Sequence, residues 1–204
     1  MTQKGEPQLF TDYLAVMLVG LSAGFVILAH YLYRNPEPGE RQAWASGFFA
    51  TGLLGLLTSV PMIVIWPLPG AYNIAFGEPA LYLSVAFIGA AITLAMKWDP
   101  LIPALYGFFG GLLAVVVGLR IANLGLTSAP ALAATGYITA GLGGMLTLPA
   151  INWRSRRFFA LAAAVLLGIA AVIFLFTGYE GAWGHLADFA KWVPGSMLRA
   201  PAAK

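Results

Sequence analysis

The stretch LIPALYGFFGGLLAVVVGLRIAN, Leu101–Asn123, holds a single charged residue, Arg120. A helix needs about 20 apolar residues to cross roughly 30 Å of hydrocarbon. This stretch meets that length and is too uniformly apolar to be a barrel strand, which would alternate over about ten residues. Backbone groups in lipid must be paired within the segment, so a transmembrane helix is the remaining choice. Five further stretches read the same way: Phe10–Tyr33, Trp44–Trp66, Pro79–Met96, Ser128–Leu148 and Arg157–Thr177. The expected fold is all-α, an integral membrane bundle of six transmembrane helices.

The whole chain agrees with its fourth span. Of 204 residues, 60% are hydrophobic and 9% charged, against about 25% charged in an ordinary soluble domain. That balance excludes a soluble enzyme domain and a disordered chain, and the absence of cysteine excludes a disulfide scaffold. The formal charge of +3 is spread thinly, so no basic patch for nucleic acid is expected. Breaks between spans carry turn chemistry: Asn35-Pro36-Glu37-Pro38-Gly39 after the first, Asp99-Pro100 after the third, Pro149 with Asn152-Trp153-Arg154 after the fifth. Pro61 lies inside the second span and should kink it. The first apolar stretch is too long for a cleaved leader, so it reads as a retained helix.

Lys and Arg in short loops favour the cytoplasmic side. Arg34, Arg41, Lys97, Arg154, Arg156 and Arg157 follow odd spans; Lys4, Arg120, Lys191, Arg199 and Lys204 lie on the other side. The bias places both termini outside a cell membrane that the chain crosses several times. Residues 1–178 form the six-helix domain. Residues 179–204 form a tail in which Ala182–Val193 reads as a short interfacial helix. Trp183, Leu186, Phe189 and Trp192 mark one face of it, and His185, Asp188 and Lys191 another. Such a helix is a membrane anchor or, more sharply, a lid or docking surface. Gly20 and Gly24, Gly107 and Gly111, and Gly136, Ala140, Gly141 and Gly144 suit close helix packing. Contact in a homo-oligomer is the alternative use of these residues.

Ionisable groups in spans are functional suspects. Asp12, Glu78 and Arg120 reach one membrane level because successive spans alternate in direction, and Asn123 shares a helix face with Arg120. The segment Trp66–Pro79 ends at that level and is apolar for a loop, so it should fold back over the bundle with Asn73 and Glu78 as its polar contacts. A lidded binding site made of Asp12, Asn73, Glu78, Arg120 and Asn123 is one expectation. The plainer one is that Arg120 pairs with Glu78 or Asp12 and Glu78 caps a helix. His30, near the inner end of the first span, reads as a hydrogen-bonded interface residue, because His185 lies on the opposite side and cannot clamp a haem with it. No metal-ligand spacing, nucleotide loop or nucleophile motif is present, so no cofactor, metal or catalytic residue is expected.

The segments Asp12-Tyr13-Leu14, Trp66-Pro67-Leu68-Pro69-Gly70, Tyr72-Asn73-Ile74-Ala75-Phe76-Gly77-Glu78 and Arg120-Ile121-Ala122-Asn123-Leu124-Gly125-Leu126 carry a family resemblance. On them, the chain resembles small prokaryotic membrane proteins classed as domain of unknown function 981. The resemblance runs nearly to the end of the sixth span and implies a polytopic membrane fold, with no activity or catalytic residue. The leading functional expectation is a non-enzymatic subunit or binding partner in a membrane complex, since little in the spans could line an aqueous path. A small transporter or channel is the second reading. A quinone- or lipid-linked redox protein, with its ligand beneath the 66–79 segment, is the third.

Overall fold

A computed structural model describes residues 13–68 and 70–188 of the chain. The described residues form six long helices: α1 (Tyr13–Arg34), α2 (Ala45–Ile65), α3 (Glu78–Ala95), α4 (Leu101–Leu124), α5 (Pro130–Asn152) and α6 (Arg157–Asp188). All six are long and apolar enough to cross a membrane. Each stops where local chemistry stops it. Asn35, Trp66, Lys97 and Gly125 follow α1 to α4 with positive φ. The left-handed turn closes a helix C-terminus, and asparagine and glycine adopt it at least cost. Pro36 then bars continuation of α1, and Pro130 opens α5 at a position where its missing N–H costs nothing.

Each helix packs mainly on its neighbours in sequence, and α6 closes back on α1, so the six form a ring. Short connections force consecutive helices to run antiparallel. The axis of the ring is filled by side chains from almost every helix, among them Leu21, Phe25, Phe76, Tyr137 and Phe174. The outward faces are apolar and exposed, as at Leu57, Val64, Val116 and Val172. No helix has more than half of its most apolar stretch buried inside the bundle. A surface that apolar needs hydrocarbon against it. Trp98 and Trp153 lie exposed at one end, Trp66 and Trp183 at the other, the arrangement of two interfacial aromatic belts.

The small residues work inside the chain. A Cβ at Gly20 would meet the Leu54 side chain at 2.6 Å, and one at Gly143 the Leu167 side chain at 2.7 Å. On α4 and α5, Gly111 and Gly141 face one another so closely that a Cβ on either would stand 2.5 Å from the other's carbonyl oxygen. These glycines therefore serve packing within the bundle, where dispersion acts between close backbones.

Three element boundaries differ from the sequence reading. The 66–79 segment is loop only as far as Ala71; from Tyr72 the backbone is helical and joins α3 through a π-helical turn, Asn73–Gly77. Pro79 has no N–H, so its regular bond to Ala75 cannot form, and the wider turn falls on the residues just before it. Helix α5 runs one turn past Pro149, because an internal proline removes one bond and the Trp153 N–H restores closure by donating to the Pro149 carbonyl, 2.9 Å. Helix α6 continues unbroken through Ala182 to Asp188, so the described part of the expected interfacial tail extends the sixth helix. Its residues Gly178, Gly181 and Gly184 weaken a helix without stopping one, and no proline occurs before Pro194. Phe189 to Val193 lie outside the described residues.

Buried hydroxyls are mostly turned back on their own helices. Ser22 donates to Leu18, Thr58 to Leu54, Ser84 to Ala80 and Thr147 to Gly143, each to the carbonyl one turn earlier. Ser59 on α2 is an exception: its Oγ is fully buried and has no partner. An orphaned hydroxyl costs about 1–3 kcal/mol. Ser59→Ala is therefore expected to leave the thermal midpoint of the purified protein unchanged or raise it. A midpoint lowered by several degrees would mean that this oxygen has a partner.

Candidate functional site

Asn73 sits at the start of the π-turn and is fully buried. Its amide is consumed by the preceding loop. Nδ2 donates to the Leu68 carbonyl at 2.5 Å and to the Gly70 carbonyl at 3.4 Å, while Oδ1 accepts the Leu68 N–H at 2.9 Å. The neighbouring Tyr72 hydroxyl donates to the Leu126 carbonyl and so ties this loop to the α4–α5 connection. Phe76 stacks on Tyr72 and meets the Tyr137 ring edge-on, 5.9 Å between centroids. The apolar segment thus folds against the bundle, as its composition requires, and its asparagine holds the fold of the loop.

The remaining residues of the expected cluster divide. Arg120 and Asn123 are both exposed, and the arginine Nη1 donates to Asn123 Oδ1 at 2.6 Å. Glu78 is half-buried at the start of α3, more than a turn into the helical backbone that begins at Tyr72, so it does not cap a helix N-terminus. Among the described residues no ion pair joins it to Arg120. Asp12 lies outside the described residues. Asn73, Glu78, Arg120 and Asn123 line none of the axial cavities or the vestibule. His30 is exposed and packs edge-on to Trp44, 5.1 Å between ring centroids, in place of the expected hydrogen bond.

Two features were not visible in the sequence. At the arginine end of the bundle, Arg154, between α5 and α6, reaches across to the end of α1. Its Nη1 donates to Asn35 Oδ1 at 3.0 Å and to the Pro36 carbonyl at 3.4 Å, and its Nη2 to the Tyr31 hydroxyl at 3.0 Å. Arg157 donates to the Tyr33 carbonyl at 2.6 Å, and Gln42 to the Ala95 carbonyl at 2.7 Å. These bonds pin α1 to α6 and the 35–44 connection to α3. The charged donors Arg154 and Arg157 make theirs the stronger kind of hydrogen bond.

The second feature is a row of cavities. Two lie on the ring axis, about 50 and 40 Å³, and share Leu83, Gly107 and Gly144 as wall residues. Tyr31 and Tyr137 are their only ionisable side chains. Toward the opposite end, a third cavity of about 60 Å³ shares Phe76, Tyr137 and Phe174 with the second. It adjoins a vestibule of about 410 Å³ between α1, the α4–α5 connection and α6, with Ser128, Thr177 and Glu180 on the walls of both. Its sequence signal is Glu180, three residues beyond the expected sixth span, Arg157–Thr177. Among the described residues, no three potential metal-ligating side chains come together.

A family model described as Protein of unknown function (DUF981) matches residues 8–188. The chain belongs to that family. The match takes in every described residue, including those of the 66–79 segment and the vestibule walls. Being an uncharacterised family, DUF981 brings the fold no assigned residue. No curated protein and no solved structure matches the chain.

Proposed function

We propose that this DUF981 protein is a non-enzymatic membrane subunit, which acts through the surfaces it presents to other membrane proteins. One observation carries this reading: the bundle offers no polar path along its axis. The hydroxyls of Ser22, Thr58, Ser84 and Thr147 are satisfied within their own helices, and the axial cavities are small and walled by aliphatic and aromatic groups. An ion on that route would be stripped of water with nothing to replace it, at a cost of tens of kcal/mol in the ideal limit. A reaction would need a nucleophile or an acid–base pair converging in a cleft, whereas the axial walls carry two separate tyrosines and Thr147, whose hydroxyl is bonded to its own helix. Extraction from native membranes in mild detergent, followed by native mass spectrometry, is expected to give assemblies heavier than the 21.6 kDa chain. Whole multiples of that mass would identify a homo-oligomer, and other masses a mixed complex. Recovery of the lone chain, or ion flux above background in liposomes, would overturn the reading.

We further infer that the arginine end faces the cytoplasm. Arg34, Arg41, Lys97, Arg154, Arg156 and Arg157 cluster there, whereas Arg120 is the only arginine or lysine at the other end among the described residues. Because the chain has no native cysteine, single cysteines report position cleanly. In intact cells, Ala71→Cys is expected to react with a membrane-impermeant maleimide. Gly39→Cys should react only after permeabilisation, and the reverse pattern would invert the orientation.

A further inference from the structure

We propose that the vestibule between α1, the α4–α5 connection and α6 binds an uncharged, apolar-tailed molecule through its carbonyl oxygen. Two hydroxyls point to the head of this ligand. Thr127 Oγ1 is buried at the inner compartment with no hydrogen-bond partner. The Tyr137 side chain, 5% exposed, lines both the inner compartment and the axial cavity beyond it, and its hydroxyl makes no hydrogen bond among the described residues. Most other hydroxyls of the bundle are satisfied, as that of Thr177 on the same wall is by donating to the Ile173 carbonyl at 2.9 Å. A buried donor without an acceptor is costly, and a carbonyl oxygen can accept from two donors at once.

The walls choose the rest of the molecule. Leu14 and Leu18 line the vestibule, and Leu132 and Ala133 line the compartment behind it, which suits a hydrocarbon tail. Glu180 stands at both, and its exposed carboxylate repels an anionic head such as a phosphate or a fatty-acid carboxylate. The shared chemistry is a neutral carbonyl on an apolar chain, which membranes supply as acylglycerol esters and as isoprenoid quinones. Ligand binding here is independent of whether the bundle has a protein partner.

The test uses the full chain in nanodiscs of a diether phosphatidylcholine, which has no carbonyl of its own. Decyl-ubiquinone and monoolein are titrated separately, and the thermal midpoint is followed. Wild type is expected to show a saturable rise with at least one of them. A rise with the quinone alone, with the ester alone or with both supports the proposal and tells the source. Tyr137→Phe and Thr127→Val keep the shape of each side chain while removing the hydroxyl. Each is expected to weaken the apparent affinity about five- to tenfold, whereas Thr147→Val, at the far axial cavity, leaves it unchanged. No response from wild type to either molecule, or an unaltered response in both hydroxyl variants, would overturn the proposal.

Discussion

Gly111→Val is expected to deprive the chain of a stable bundle. A Cβ at Gly111 would lie 2.5 Å from the Gly141 carbonyl oxygen and 3.1 Å from the Met145 nitrogen. Both are backbone atoms of a helix and cannot swing aside as a side-chain tip would. The opposing position offers no relief, because a Cβ at Gly141 would lie 2.5 Å from the Gly111 carbonyl and 3.0 Å from the Val115 nitrogen. Valine must therefore force α4 away from α5 along the most extensive helix contact of the ring. In a membrane that contact rests on dispersion between close backbones, which fades within an ångström of separation. A loss of about 3 kcal/mol or more follows for overpacking of this kind, set against a total stability of about 5–15 kcal/mol. Gly168→Ala is the matched control: nothing lies within 4 Å of its Cβ position. Removing a helical glycine there should stabilise by about 0.5–1 kcal/mol. Thermal midpoints in detergent read both signs. A Gly111→Val protein that elutes as a single species with the wild-type midpoint would mean that the two helices do not meet there.

Asn73→Ala is expected to destabilise by about 2–4 kcal/mol, the sum of its broken bonds in a site closed to water. The substitution leaves the Leu68 N–H without its acceptor and the Leu68 carbonyl without its donor. Asn73→Asp keeps an acceptor for the N–H, yet it cannot donate and places a charge in a fully buried position, so it should be at least as damaging. The loop between α2 and α3 should then open to protease near Gly70 while the helices stay protected. If Asn73→Ala keeps the wild-type midpoint and the wild-type resistance to cleavage, the amide is not what holds the loop.

The same asparagine shows what could be read in advance. A polar amide in an apolar loop near two charged residues is equally a ligand contact and a local staple, since the sequence does not tell which carbonyl stands within 3 Å of it. Arg120 and Asn123 were readable as a pair because helical spacing alone brings them together, 2.6 Å apart in the structure. Arg154 was legible only as a positive charge in a short loop. Its partners Asn35 and Tyr31 lie more than a hundred residues away, and no local pattern links them. Glu180 is not marked by hydropathy, because an apolar run marks the hydrocarbon part of a helix, whereas α6 continues in helical form past that part to Asp188.

Hydropathy and length by themselves determined six helices long and apolar enough to cross a membrane, with their order and alternation. These follow from the energy of placing backbone and side chains in hydrocarbon, which each segment meets alone. Only the tertiary structure decided that α6 closes on α1, that the glycines pack within the chain, that Asn73 is spent on its own loop, and that Thr127, its hydroxyl unpartnered, and Tyr137 line one compartment behind the vestibule. Those outcomes depend on which side chains meet across the ring, and ring closure joins residues from opposite ends of the chain.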